Sequence, residues 1–209
     1  MKITDISLKK GTRYQIDVDD NYWYILDVEL IVEHRLKVGM EVDEAFLEGV
    51  KLAADRRKAK ERALYLLGYR DHCREELIRK LCRSVDRAVA EETADRMQEL
   101  GYLNEEVYAA KLARYLMQDK KQGRMRALQE MRRRGVDVSA AEAAVDAIET
   151  DVDVLADLIE RKYARHLTDP EDRAAGQKLY AALRRLGHTH DDVMAAIDRV
   201  WERISQREE

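Results

Sequence analysis

Leu77-Ile78-Arg79-Lys80-Leu81 places two leucines four residues apart, which puts both on one face of a helix. The same spacing returns at intervals of about fifty residues, at Ala127/Met131 and at Leu179/Leu183. This self-similarity predicts a repeat array, in which each unit buries its apolar face against its neighbours. Such arrays bind extended partners along a continuous surface, so the pattern favours a binding protein. A second apolar stripe follows each pair: Val89/Thr93/Met97, Ala141/Val145/Ile148 and Val193/Ile197/Val200.

The amino-terminal residues follow the alternation of strands. Tyr14-Gln15-Ile16-Asp17-Val18 alternates apolar and polar side chains, and Tyr22-Trp23-Tyr24-Ile25-Leu26 is rich in strand formers. With residues 3–8 they predict a small antiparallel meander. Its turns are expected at Lys10-Gly11-Thr12 and Asp19-Asp20-Asn21.

A long helix is predicted after this module and a short helix over 28–35. Asp43 is the expected N-cap of the long helix. The basic run 51–62 contains no Gly or Pro, so the long helix is expected to continue through it and to end at Gly68. We expect the aromatic side chains of the meander to pack against this helix. Stacking on nucleic-acid bases is the alternative, which the acidic neighbours Asp17, Asp19 and Asp20 disfavour.

The rest of the chain predicts short helices with clear ends. Gly101, Gly135 and Gly187 are expected stops, and Asn104, Ser139 and Asp169, with Pro170, are expected starts. The helices are predicted over 72–83, 87–100, 104–119, 124–134, 139–149, 152–166, 171–186 and 190–205. The fold is therefore predicted as mainly α, in four parts: 1–52 β-rich module, then three-helix repeats at 53–102, 103–150 and 151–209.

Composition favours a helical protein, and we expect it to be a cytoplasmic monomer. The 209 residues are 45% hydrophobic and 38% charged, with one proline. No stretch approaches the roughly 20 apolar residues of a membrane span, and the amino terminus lacks a signal-peptide pattern. Cys73 and Cys82 are too far apart along one helix to form a disulfide, so both are expected as reduced thiols.

Charge is unevenly distributed along the chain, although the net charge is only −4. Residues 114–135 are strongly basic, and residues 136–160 contain acids but no Lys or Arg. A local basic patch of this kind can bind nucleic acid or a filament despite overall acidity.

One segment is especially informative: Gly101-Tyr102-Leu103-Asn104-Glu105-Glu106-Val107-Tyr108-Ala109. It closely resembles the junction between the first two repeats of the bacterial RecX family, which modulates the RecA recombinase. The strand-rich start is similar to the extension of longer members. The chain departs from the family pattern at Asp71, Arg124-Met125 and Ala127. Further similar stretches are 69–77 with Lys80-Leu81, 121–124, Ala127…Met131…Arg134-Gly135-Val136, and Arg184-Arg185-Leu186-Gly187 followed by Asp191-Asp192-Val193.

The resemblance implies tandem three-helix repeats in an elongated curved array that lodges in the groove of the RecA–DNA filament and inhibits or destabilises it. The candidates for contact with the filament are then basic residues of the run 114–135. Cations at a helix carboxyl end are also favoured by the helix dipole. A merely solvated helix end is therefore the alternative for Arg132, Arg133 and Arg134, which we call the Arg triplet. The candidates are Lys120, Lys121, Arg124, Arg126, Arg132, Arg133 and Arg134.

A helical module that binds DNA directly, without RecA, is the alternative function. An enzyme is disfavoured because no nucleophile, base and orienting group assemble in the sequence, and no cofactor is expected. His188-Thr189-His190-Asp191-Asp192 contains metal-binding residue types, but a helix cap by Thr189 or Asp191 explains it better.

Overall fold

A computed structural model describes residues 1–167 and 172–208, and it is mainly helical with one small sheet. The strands are β1 (Ile3–Lys10), β2 (Arg13–Val18) and β3 (Asn21–Asp27), antiparallel in the order β1-β2-β3. Asp19 and Asp20 join β2 to β3 with positive φ at both positions, the geometry of a tight hairpin turn. The predicted fold class, mainly α with an antiparallel β module, is confirmed.

Ten α-helices follow the sheet within the described residues. Most of them match the predicted segments within a few residues. Their bounds are α1 Val28–Glu33, α2 Glu44–Tyr69, α3 Arg74–Leu81, α4 Arg87–Glu99, α5 Glu105–Arg114, α6 Arg124–Arg134, α7 Val138–Asp146, α8 Val152–Tyr163, α9 Arg173–Arg185 and α10 His190–Glu208.

Helix α2 begins where the sequence predicts, because the Asp43 carboxylate accepts a hydrogen bond from the Phe46 amide at 2.8 Å. Its first half packs Leu47, Val50 and Ala54 into the cluster that lies against the sheet. Its second half contributes Ala59 and other buried residues to the next cluster, with α3 and α4. One helix therefore serves two cores.

Two compact units divide the chain: Met1–Asp71 with Leu77–Leu103, and His72–Glu76 with Asn104–Glu209. Four clusters of buried apolar residues lie along the described sequence, one beneath the sheet and three in the helical part. All three predicted pairs are buried: Leu77/Leu81, Ala127/Met131 and Leu179/Leu183. The boundaries assigned to the three repeats stay a prediction.

Several predicted helix ends are wrong in detail. Asp137, not Ser139, caps α7, since its carboxylate accepts from the amides of Ser139 and Ala140 and lies two residues beyond the left-handed Gly135. Helix α2 runs one residue past Gly68. The predicted start at Asp169 and Pro170 lies outside the described residues. The cap at Thr189 is confirmed by reciprocal hydrogen bonds with Asp192.

The regular α-helix also ends earlier than predicted in two places. Tyr115–Asp119 forms a π-helical turn after α5, and Ala164–His166 forms a 3-10 turn after α8. Within the described part of the chain, no helix is long and apolar enough to cross a membrane.

The aromatic residues of the meander mostly pack as expected. Tyr14, Trp23 and Tyr24 lie against the cluster that contains Leu47 and its neighbours on α2. Tyr22 is the exception, because it is 60% exposed. The prediction is therefore wrong for Tyr22 alone.

Candidate site at the two ends of helix α6

The amino end of α6 is joined to the turn between α9 and α10 by backbone hydrogen bonds. The Gly123 amide donates to the Leu186 carbonyl at 2.9 Å, and the Met125 amide donates to the Gly187 carbonyl at 3.1 Å. A methyl group on Gly123 would lie only 2.2 Å from the His188 backbone nitrogen. Gly123 is therefore required by close approach of two backbones, not by its φ of −75°.

Lys121 precedes this junction in a left-handed conformation, with φ +54°. Such a conformation is uncommon for a residue with a side chain. The ring of His188, only 5% exposed, holds it in place: Nε2 lies 3.1 Å from the Lys121 carbonyl oxygen. Since a carbonyl can only accept, Nε2 carries a proton and His188 is the donor.

Burial lowers the pKa of His188 below its ordinary value. The Lys121 carbonyl and the Asp192 carboxylate act in the opposite direction, but the loss of solvation outweighs both. The neutral form of His188 therefore predominates near pH 7, with its proton on Nε2.

The π-helical turn before Lys121 exposes a second lysine. The Lys120 amide donates to the Tyr115 carbonyl at 3.0 Å, and the Lys120 Nζ atom lies 5.3 Å from the centre of the Tyr115 ring. π-Helical turns are rare and are frequently found at functional sites. The turn and the left-handed Lys121 together place two consecutive lysines outside regular helix.

The carboxyl end of α6 is arranged differently. Glu130 accepts two hydrogen bonds from Arg133, both at 2.9 Å, and one from Arg134 at 3.0 Å. These bonds, with that of Arg133 the largest cause, lower the pKa of Glu130 to about 2. Arg132 pairs with Glu142 at 3.0 Å. Every member of the Arg triplet therefore has a carboxylate of the same chain beside it.

The structure thus separates the seven predicted residues into two groups. Arg124 joins the paired group, because its Nη1 atom lies 2.7 Å from the Asp146 carboxylate. Across residues 1–167 and 172–208, no carboxylate lies within ion-pair distance of the other three, which we call the amino-end cations: Lys120, Lys121 and Arg126.

Two further arginines lie beside the amino-end cations. Arg126 donates to the Arg185 carbonyl at 3.4 Å, and Arg184 donates to the His188 carbonyl at 2.8 Å. Arg184 and Arg185 are 58 and more residues from Arg126 in sequence, so the basic run at 114–135 could not reveal them. The one available signal was the similarity of Arg184-Arg185-Leu186-Gly187 to the family pattern.

A cavity of about 260 Å³ lies beside Lys121, with His188 in its wall. Its apolar walls come from Met117, Ile148 and Leu155. Among the residues that the structure describes, no cluster of three His, Cys, Asp or Glu side chains could hold a metal ion. Glu149 and Asp151 also line this cavity, so the basic character of the site comes from the amino-end cations and not from the cavity.

Comparison with known proteins places the chain in a family. The model of the RecX first three-helix domain matches residues 59–97, and that of the second three-helix domain matches residues 104–145. Regulatory protein RecX of Clostridioides difficile (strain 630) is 25% identical over 202 residues, which cover 95% of both chains. The chain belongs to the RecX family. It is thereby a member of a family of regulatory proteins.

Other relatives agree with this assignment. Regulatory protein RecX of Bacillus subtilis (strain 168) is 26% identical over 205 residues, covering 95% of this chain and 76% of the relative. A crystal structure of regulatory protein RecX matches 94% of this chain with a TM-score of 0.68 and 22% identity, and covers 98% of that chain. RecX from Lactobacillus salivarius matches 71% of this chain and 97% of its own, with a TM-score of 0.65 and 23% identity. These structures share the fold.

Proposed function

We propose that the protein is a non-enzymatic, mainly negative regulator of RecA, acting as a monomer in the cytoplasm. It binds in the groove of the RecA–DNA filament and inhibits or destabilises the filament. Membership of the RecX family supports the regulatory role. The observation that carries the proposed site is the set of amino-end cations, which have no carboxylate partner among the described residues.

All seven candidate residues are cations, so charge alone does not distinguish them. They differ in whether a carboxylate of the same chain already pairs with them. An arginine that is already paired with a glutamate must break that pair before it can bind a phosphate or an acidic side chain. The amino-end cations have no such pair to break, so their full charge is available to a partner. We therefore assign the first contact with the filament to Lys120, Lys121 and Arg126.

The anchored backbone adds to this assignment. Gly123 and Met125 are fixed to the α9–α10 turn, and the Lys121 carbonyl is fixed to His188. Binding then costs little ordering of the main chain, because these residues are ordered before the partner arrives.

ATP hydrolysis by RecA on single-stranded DNA tests the proposal. Wild-type protein, added well below one molecule per RecA, is expected to suppress hydrolysis. The variant Lys120→Ala/Lys121→Ala/Arg126→Ala is expected to suppress it weakly. Suppression that this variant leaves intact would keep the function and reject the site.

Direct DNA binding is the competing function, and the same titration separates the two. A filament regulator acts when it is scarce relative to RecA. A module that only binds DNA suppresses hydrolysis once it saturates the DNA and competes with RecA for it. Dependence on saturation would therefore contradict the proposed function.

A further inference from the structure

The exposed face of the second half of α2 carries a regular pattern of basic and aromatic side chains. Lys58, Arg62, Tyr65 and Tyr69 follow one another at spacings of four, three and four residues. At about 100° per residue all four lie within roughly 60° of one another around the helix, along roughly 16 Å of its axis. We call these four residues the tyrosine stripe.

The tyrosine stripe continues the face that packs on the sheet. Leu47 and Ala54 lie on this same side of α2 and are buried in the cluster beneath the sheet. In the second half of α2, a different side of the helix is buried, because Ala63 and Leu66 pack into the next cluster. The first face is then left uncovered: Tyr65 is 66% exposed and Tyr69 is 83% exposed.

The charges of the stripe are also available. The Arg62 guanidinium carbon lies 5.1 Å from the centre of the Tyr65 ring, and Lys58 donates to the Ser84 carbonyl at 3.0 Å. In the described parts of the chain neither side chain forms an ion pair with a carboxylate. Arg62 and Lys58 therefore both keep their positive charge, and Arg62 lies over the Tyr65 ring.

A cleft continues the tyrosine stripe toward the sheet. This cleft, about 300 Å³ in volume, is lined by Lys58, by Arg13 and Tyr22 from the strands, and by Arg57. Arg57 is paired with Glu29 at 2.6 Å and with Glu61 at 3.2 Å, so Arg13 and Lys58 are the cleft cations without an ion pair in the described parts of the chain. Asp27 accepts from Thr12 at 2.7 Å and keeps its negative charge. The cleft and the tyrosine stripe together form one path, with the exposed Tyr22 at the sheet end and Tyr69 at the other end.

We infer that this path binds single-stranded nucleic acid. Exposed rings stack on bases of any sequence, and cations spaced between them neutralise phosphates. Only unpaired bases can stack on these rings, since the bases of a duplex stack on each other. The stripe belongs to the first unit and shares no residue with the amino-end cations, so it does not depend on the proposed contact with RecA.

A binding experiment without RecA tests this inference. The full-length protein is titrated into a fluorescein-labelled single-stranded oligodeoxythymidylate, and fluorescence anisotropy is measured. Tyr65→Leu/Tyr69→Leu is expected to weaken binding about tenfold or more, because each stacked base contributes enough for a change of that size. Tyr65→Phe/Tyr69→Phe keeps the rings and is expected to bind within about twofold of wild type.

The matched pair of variants also separates nucleic acid from a protein partner. Leucine preserves an apolar docking surface but cannot stack, so a protein-binding face would tolerate it better than a base-stacking face does. Arg62→Ala is expected to reduce the salt dependence of binding by about one released ion. Circular dichroism and thermal unfolding check that all variants fold, which exposed positions should permit.

Two results would overturn the inference. One is equal affinity of wild type and Tyr65→Leu/Tyr69→Leu for the single strand. The other is tighter binding of a duplex of the same length than of the single strand. Lys120→Ala/Lys121→Ala/Arg126→Ala, run in parallel, is expected to keep the stacking-dependent part of the affinity. This control separates failure of the stripe from failure of the proposed RecA site.

Discussion

The two ends of helix α6 carry similar charge but differ in what surrounds it. At the carboxyl end, Arg132 and Arg133 each pair with a glutamate of the same chain. At the amino end, the Arg126 side chain donates to the Arg185 carbonyl and the Lys121 carbonyl accepts from the His188 ring, but neither cation has a carboxylate partner within the described ranges. The carboxyl-end arginines are therefore paired internally, whereas Lys121 and Arg126 are not, and we propose that these two meet the partner.

The difference teaches that a basic run in a sequence reports charge, not its availability. The helix dipole favours cations at a carboxyl end and disfavours them at an amino end, by about 0.3–1 kcal/mol each. The stable arrangement thus lies at the carboxyl end. At the amino end, Arg124 is paired with Asp146, but Lys120, Lys121 and Arg126 lie without a carboxylate partner among the described residues where the helix dipole disfavours cations. This is the pattern expected of a binding site.

The largest effect is expected from the backbone junction that anchors the amino end. Gly123→Ala places a methyl group 2.2 Å from the His188 nitrogen, so the two backbones must separate. We expect a loss of about 3 kcal/mol in the free energy of unfolding, measured by urea denaturation.

Gly176→Ala is the matched control for this change. Gly176 lies inside α9, and a methyl group there would meet no atom within 4 Å. Alanine is the better helix former, so we expect a gain of about 0.5–1 kcal/mol. Equal effects of the two substitutions would mean that the junction is not closely packed.

His188→Leu is expected to have the next largest effect. Leucine fills part of the buried space but cannot donate to the Lys121 carbonyl, which costs about 1–3 kcal/mol if the carbonyl stays buried. His188→Gln keeps a donor and should recover part of the loss. Recovery by Gln of affinity for the RecA filament, more than of stability, would show that His188 positions Lys121.

The two ends are also expected to respond to different ranges of pH. The folded pKa of His188 is lowered, so the unfolded chain binds a proton first and stability falls as pH drops below about 6.5. The pair at Glu130 is retained until much lower pH. Its contribution is lost between the ordinary glutamate pKa of about 4.3 and about 2.

Thermal unfolding measured across pH tests both ranges. His188→Gln should remove the dependence near pH 6.5 and leave the acidic range unchanged. Glu130→Gln should do the opposite. If His188→Gln left the dependence near neutrality intact, another group would have to be its origin.

Much of the fold could be predicted because local signals agree with tertiary contacts. The pair Leu77/Leu81 and its two counterparts are buried as their spacing indicates, and Asp43 and Asn104 cap the helices that follow them. These features depend on neighbouring residues alone. A single sequence is sufficient to find them.

The details of the site could not be predicted, because they depend on residues distant in sequence. Gly123 appears as an ordinary helix start until the His188 backbone is found against it. The pairing of Arg132 with Glu142, ten residues away, requires the angle between α6 and α7. Which cations are neutralised is therefore a property of the fold.

A smaller effect is expected when the carboxyl end of α6 loses one of its internal carboxylates, which makes it more like the amino end. Glu130→Gln removes the carboxylate that Arg133 binds through two hydrogen bonds. Because exposed ion pairs contribute little, we expect a loss of about 1 kcal/mol or less in stability. Binding of the RecA filament should become more dependent on salt if Arg133 then reaches the partner. Unchanged salt dependence would indicate that the carboxyl end faces away from it.

The most direct test of the central claim compares two double variants with equal loss of charge. Lys121→Ala/Arg126→Ala removes two cations from the amino end, and Arg132→Ala/Arg133→Ala removes two from the carboxyl end. The affinity for RecA filaments on single-stranded DNA is measured over a range of salt concentrations. We predict that the first variant binds more weakly, with a salt slope reduced by about two, and that the second parallels wild type. The reverse order would contradict the account.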